Sequence, residues 1–254
     1  TQLPCQPGSY SLSGSSECIS CSAGKFAALE RAIECVSAEP GCFVAEDSAS
    51  KEEPCPAGSH ASGSGNSECT LCEPGKYAAS AKTPDCTLAT QGYFVVNEGA
   101  TTEVVCPVGT YSPGPGLFGC VEANSGSFVG VEGAFVQEEC PVGKFSSSPS
   151  STECSLCPKG EFNSETGKSG CKPATSGHFV ASEGASREEP CQPGTFASGS
   201  GNVECSDCNP GSYSDTDAAS ACTRASRGYY VDEPRATSPK KCEVGKYAPG
   251  EGSS

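Results

Sequence analysis

Apolar side chains recur along this chain singly, at fixed offsets from glycine and cysteine, and never as a helical stripe. An aromatic residue stands two positions after a glycine at Tyr10, Phe26, Tyr77, Tyr111, Phe145, Phe162, Phe196, Tyr213 and Tyr247, and each of those glycines stands three positions after a cysteine. His60 fills the aromatic slot once. No window sustains an apolar period of 3.6 residues, so helix should be scarce. Between the cysteine loops, five stretches carry Gly, one variable residue, then an aromatic residue and Val: Phe43-Val44, Phe94-Val95, Phe128-Val129, Phe179-Val180 and Tyr230-Val231. These β-prone pairs, each followed by an acidic, turn-forming segment, predict a short hairpin in every such spacer. The glycines after the opening cysteines predict positive-φ turns. The aromatics two residues later are expected to form a miniature core against the disulfides. The fold class that follows is small disulfide-rich repeats, mostly irregular with short β-hairpins and little helix, in an elongated, rod-like tandem array.

The cysteines change the picture from a disordered chain to a stapled one. Leu, Ile, Val and Phe together number only 35, Trp and Met are absent, and the formal charge is −15, a composition that alone reads as unfolded. Twenty cysteines replace the missing core, each closed loop of about fifteen residues contributing roughly 3 kcal/mol. Disulfides persist in oxidising compartments, so the chain is expected to be secreted or to face the outside of a cell. No segment approaches the apolar length of a membrane span, and the acidity argues against nucleic acid.

Aligned on cysteines, the chain divides into modules at 5–54, 55–105, 106–139, 140–190 and 191–241, with 242–254 opening a sixth. A full module is two loops and a spacer. The module at 106–139 lacks one loop and one linker, which leaves Cys106 and Cys120 alone between regular neighbours and predicts that they pair. Carried through the chain, that spacing gives Cys5–Cys18, Cys21–Cys35, Cys55–Cys69, Cys72–Cys86, Cys106–Cys120, Cys140–Cys154, Cys157–Cys171, Cys191–Cys205 and Cys208–Cys222. Cys242 expects its partner beyond the last residue, so the chain reads as a window on a longer array. A super-period of 136 residues relates EEPCPAGSHASGSGNSEC at 52–69 to EEPCQPGTFASGSGNVEC at 188–205.

The pattern CxPGxY/F, a Gly/Ser-rich loop, Glu-Cys-x-x-Cys, a second xxGxY/F and a closing Cys resembles the ephrin-receptor-type cysteine-rich repeat. It is also similar to the first submodule of tumour necrosis factor receptor cysteine-rich domains. The resemblance implies an irregular fold of short hairpins and stacked disulfides in an elongated stalk. It covers the loops but not the spacers, so it implies no ligand-binding residues.

The remaining candidate sites weigh towards structure. The CxxC pairs Cys18/Cys21, Cys69/Cys72, Cys154/Cys157 and Cys205/Cys208 could be zinc half-sites, but zinc needs four converging ligands and the chain has only His60 and His178. GPGLFG at 114–119 matches a dinucleotide fingerprint in letters only, lying inside a loop without strand or helix around it. Glu46, Glu98, Glu132, Glu183 and Glu233 recur once per module, as a solvated acidic face rather than a calcium loop. No cofactor is expected, and neither histidine has companions for catalysis. No N-glycosylation sequon occurs, while the abundant Ser and Thr leave O-linked glycans open. Cys42 is the odd thiol, and in a secreted chain that points to an intermolecular bond or a partner outside this window, ahead of a free buried thiol. The expected partners are copies of the chain or other extracellular proteins, with Phe43, Phe94, Val95, Phe128, Phe179 and Tyr230 as candidate self-association contacts on strand edges. The sequence thus favours an extracellular structural protein, a stalk or fibril without catalysis. The alternative is the ectodomain stalk of an adhesion protein or receptor.

Overall fold

A computed structural model describes residues 3–254. Among them there is no helix, and the strands pair two by two into fourteen antiparallel two-stranded sheets. The repeat is shorter than the cysteine pattern suggests. Gly24, Gly41, Gly58, Gly75, Gly92 and every later member of the series to Gly245 stand 17 residues apart. The hairpins follow the same step. The spacers are therefore not linkers: each is a further copy of the loop unit, with its hairpin, at positions such as Cys42–Phe43 with Glu53–Pro54 and Tyr93–Phe94 with Val104–Val105.

One repeat shows how the sequence builds the unit. Glu73-Pro74-Gly75-Lys76 closes a turn in which Lys76 N–H donates to Glu73 O at 3.0 Å. Pro presets the first central position, and Gly75 supplies the φ of +86° that the second demands. Lys76 and Tyr77 then pair with Leu88 and Thr87, and Cys72–Cys86 clamps the hairpin across its base.

Repeats are stitched to their successors through the backbone. Gly75 N–H donates to Val95 O at 2.8 Å, Ala89 N–H to Gly75 O at 2.9 Å, Ala78 N–H to Ala100 O at 3.1 Å and Gly99 N–H to Cys72 O at 2.8 Å. The same four bonds recur at Gly160–Val180, Ala174–Gly160, Asn163–Ala185 and Gly184–Cys157. Contact reaches the repeat after next as well, where a Cβ on Gly75 would overlap the carbonyl of Gly116. The chain divides into two compact units, Thr1–Glu122 with Val131–Val136, and Ala123–Gly130 with Gln137–Ser254. Both contain these same bonds.

The core departs from the expectation for the aromatics. Tyr10, Phe26, Tyr77, Tyr111, Phe145, Phe162, Phe196 and Tyr213 are only half-buried, and Tyr247 is exposed. The buried side chains are small and, apart from Cys42, Ser59, Ser127 and Thr195 directly after the glycine, fill two slots per repeat. One is the opening cysteine or the alanine in its place; the other, one residue after the aromatic, holds Ala, Val, Ser or Asn, as at Ala78, Val95, Ser112 and Asn163. Close stitching explains this, because backbones held by hydrogen bonds on both sides leave no room inside for a ring.

Candidate functional site

Nine disulfides close in the described chain: Cys5–Cys18, Cys21–Cys35, Cys55–Cys69, Cys72–Cys86, Cys106–Cys120, Cys140–Cys154, Cys157–Cys171, Cys191–Cys205 and Cys208–Cys222. The two cysteines of each CxxC pair belong to different disulfides, so none of these pairs offers free thiolates to zinc.

The repeats without a disulfide carry a polar substitute that the sequence reading missed. Ala38, Ala89, Ala123 and Ala174 fill the opening-cysteine slot, each at 0 % exposure. Fourteen residues on, where the closing cysteine would stand, are Glu52, Glu103, Gln137 and Glu188. Each folds back onto the backbone N–H that follows the alanine: Glu39 to Glu52 Oε2 at 2.7 Å, Thr90 to Glu103 Oε2 at 2.7 Å, Asn124 to Gln137 Oε1 at 2.8 Å, and Thr175 to Glu188 Oε2 at 2.6 Å. The Thr90 and Thr175 hydroxyls donate to the same carboxylates. A hydrogen bond to a charged group contributes about 1.5–3 kcal/mol, the same order as the staple it replaces. The signal was the spacing of fourteen from an alanine in the cysteine register. The fifth such repeat has Pro239 in that slot, and its Lys240 instead bonds Asp232 at 2.8 Å.

The acids singled out from sequence, Glu46, Glu98, Glu132, Glu183 and Glu233, are all exposed and form no ligand cluster. Of the proposed self-association residues, Val95 is corrected: at 2 % exposure it is interior, and its N–H is already given to Leu117 O at 3.0 Å. Phe43, Phe94, Phe128, Phe179 and Tyr230 are half-buried.

Cys42 is a buried thiol at 2 % exposure. Burial pushes its pKa up, and a hydrogen bond with Glu52 adds to the rise. Lys82 reaches over this corner from a later repeat, its Nζ 2.9 Å from Glu39 Oε2 and 3.9 Å from Glu52 Oε1. An interchain bond at Cys42 would first require this cover to open. Cys242 is also a free, half-buried thiol.

Neither histidine sits in a catalytic arrangement. His178 Nδ1 is 3.2 Å from Thr175 Oγ1, but that hydroxyl's one proton is given to Glu188 at 2.9 Å, so the imidazole has none to accept. His60 Nδ1 is 3.1 Å from Thr70 O and 3.2 Å from Cys86 Sγ. With Cys72 these form the one compact group of metal-type side chains among the described residues, and its two sulfurs are bonded to each other.

The family model for tyrosine-protein kinase ephrin type A/B receptor-like sequences matches residues 194–253. This stretch holds Cys208–Cys222 and the closing cysteine of Cys191–Cys205, in the tandem spacing of the other loop pairs. It is an ephrin-receptor-like cysteine-rich repeat. The tandem pairs and hairpins of residues 5–190 fit the same ephrin-receptor-like type. Comparison with curated proteins finds no match to the chain. No helix among the described residues is long and apolar enough to cross a membrane.

Proposed function

We propose that the chain is an extracellular structural protein without catalysis, a stalk or fibril made of stacked 17-residue hairpins. The observation that carries this reading is the backbone stitching from each repeat to the next. Within each of the two compact units it runs alike through repeats that have a disulfide and repeats that have the side-chain clasp instead. A chain that keeps its stacking bonds while varying its staples preserves length and stiffness rather than a pocket. Nine disulfides support an extracellular or cell-surface setting, and the exposed acids keep such an array soluble. Partners under this reading are copies of the chain, meeting through the half-buried rings of Phe43, Phe94, Phe128, Phe179 and Tyr230, or other extracellular proteins. The family match at 194–253 favours a second reading, a receptor-type ectodomain that spaces a binding domain from its anchor.

Electron microscopy of the native, unreduced protein separates them. Long rods of constant width, frayed by reductant, support the structural reading. Separate short stalks, each ending in a globular knob, overturn it in favour of the receptor.

A further inference from the structure

In every other repeat the slot two residues after the glycine holds Tyr or Phe; only at His60 does it carry an imidazole. His60 Nδ1 faces two groups, the Thr70 carbonyl at 3.1 Å and Cys86 Sγ at 3.2 Å. A carbonyl oxygen and a disulfide sulfur only accept, so Nδ1 carries its hydrogen. A neutral disulfide sulfur is a weak acceptor, whereas a thiolate at the same place is a strong one. The hydrogen bond therefore stabilises the reduced state more than the oxidised state, and stabilising the reduced form makes a disulfide easier to reduce. The ligand atoms of His60, Cys72 and Cys86 all lie within 4.8 Å of one another, so the donor needs no rearrangement to serve. The same atoms make a poor metal site, since the sulfurs are mutually bonded and Nδ1 is protonated.

We propose that Cys72–Cys86 is the exchange-prone disulfide of this chain and that its opening exposes Cys42. A dithiol supplies two electrons and is oxidised to its own disulfide. The Cys72–Cys86 bond breaks. Of the two protons released, one goes to the Cys72 thiol and the other to solvent, because Cys86 remains a thiolate accepting from His60 Nδ1–H. The loop so freed carries Lys82, whose carbonyl packs on Gly41 and whose Nζ bridges Glu39 and Glu52. With the loop loose, the cover over the neighbouring Cys42 thiol lifts.

The test titrates the oxidised full chain with mixtures of reduced and oxidised dithiothreitol, traps thiols with iodoacetamide and reads each cysteine by peptide mass spectrometry. Cys72 and Cys86 should become labelled at about a tenfold lower ratio of reduced to oxidised reagent than the other eight disulfides, about 30 mV for this two-electron couple, with Cys42 following the same midpoint. His60→Phe installs the residue that the slot holds elsewhere, and should return Cys72–Cys86 to the range of the rest. Phe145→His, in the equivalent position before Cys157–Cys171, should transfer the lability there. Reduction of Cys72–Cys86 together with the other disulfides in the parent chain, or an unshifted midpoint in His60→Phe, would overturn the proposal.

Discussion

At the scale of single residues, one slot shows how a side chain is chosen by its surroundings. The position after the repeat glycine is buried at Ser59, Ser127 and Thr195, and the Ser59 and Thr195 hydroxyls donate to the carbonyls of Pro56 and Gln192 at 2.8 and 2.7 Å. Cys42 occupies this slot. Its raised pKa means that folding disfavours the thiolate, so the stabilisation is complete below the unfolded thiol's pKa and declines as pH rises through the folded one. Cys42→Ser should stay within about 0.5 kcal/mol of the parent in thermal melts and should remove this alkaline decline. In the parent, Cys42 should resist iodoacetamide under native oxidising conditions and react once the chain is unfolded. Rapid native labelling of Cys42 would contradict the burial.

At the scale of the element, the hairpin's second strand reaches the turn of the repeat after next, twenty-eight residues on. Leu71 lies against Gly99, Leu88 against Gly116, Val105 against Gly133 and Leu156 against Gly184; a Cβ on Gly184 would fall 2.8 Å from Leu156 Cδ2. Among the described residues, all six non-glycines with positive φ occupy this same turn position: Arg31, Ser48, Lys82, Ser150, Ala218 and Arg235. Where such a residue is tolerated, the strand residue before it is not a leucine. Pro54 precedes Lys82, Pro190 precedes Ala218, and Asp207 precedes Arg235, with an ion pair at 3.5 Å. Gly184→Ala should therefore cost about 1–2 kcal/mol from the left-handed backbone plus the clash with Leu156. Adding Leu156→Ala should recover the clash part, giving a coupling of about 0.5 kcal/mol or more in a double-mutant cycle of denaturant melts. Additive effects would show that the two positions do not meet.

Hairpins, positive-φ glycines and the scarcity of helix were legible because each depends on neighbours within a few residues: Pro-Gly turns, aromatic-Val pairs and the missing 3.6-residue period. The clasp at Glu52, Glu103, Gln137 and Glu188 was not, since its spacing of fourteen from an alanine stands out only once the 17-residue register is known and the backbone N–H it serves is placed. The core was misread for a related reason. Phe and Tyr bury the most area per side chain, but here the stitching between repeats brings backbones so close that only Cys, Ala, Val, Ser, Thr and Asn fit inside. The register between Leu156 and Gly184 lay beyond any local pattern.

At the scale of the whole molecule, 17 residues is the unit in which the chain can gain or lose length. The spacing of 34 between Cys106 and Cys140, that of 51 between Cys140 and Cys191, and the super-period of 136 are all multiples of it. The physical reason is that, within each compact unit, one repeat after another presents the same donors and acceptors to its successor. Cys106 N–H gives to Gly92 O at 2.9 Å just as Ala89 N–H gives to Gly75 O at 2.9 Å. Removing residues 89–105 would set Cys106 where Ala89 stood, facing the Gly75 carbonyl with no bond left unpaired. It also removes Val105, the strand residue that covers Gly133, but leaves Leu88 in its place. The deletion should fold, form all nine disulfides with unchanged pairing by peptide mapping, and melt within a few degrees of the parent. Removing residues 89–98 instead shifts every later donor out of register, and should yield scrambled disulfides and an early, broad transition. Equal tolerance of both deletions would mean that the cysteines alone, and not the hydrogen-bonded stacking of hairpins, hold the array together.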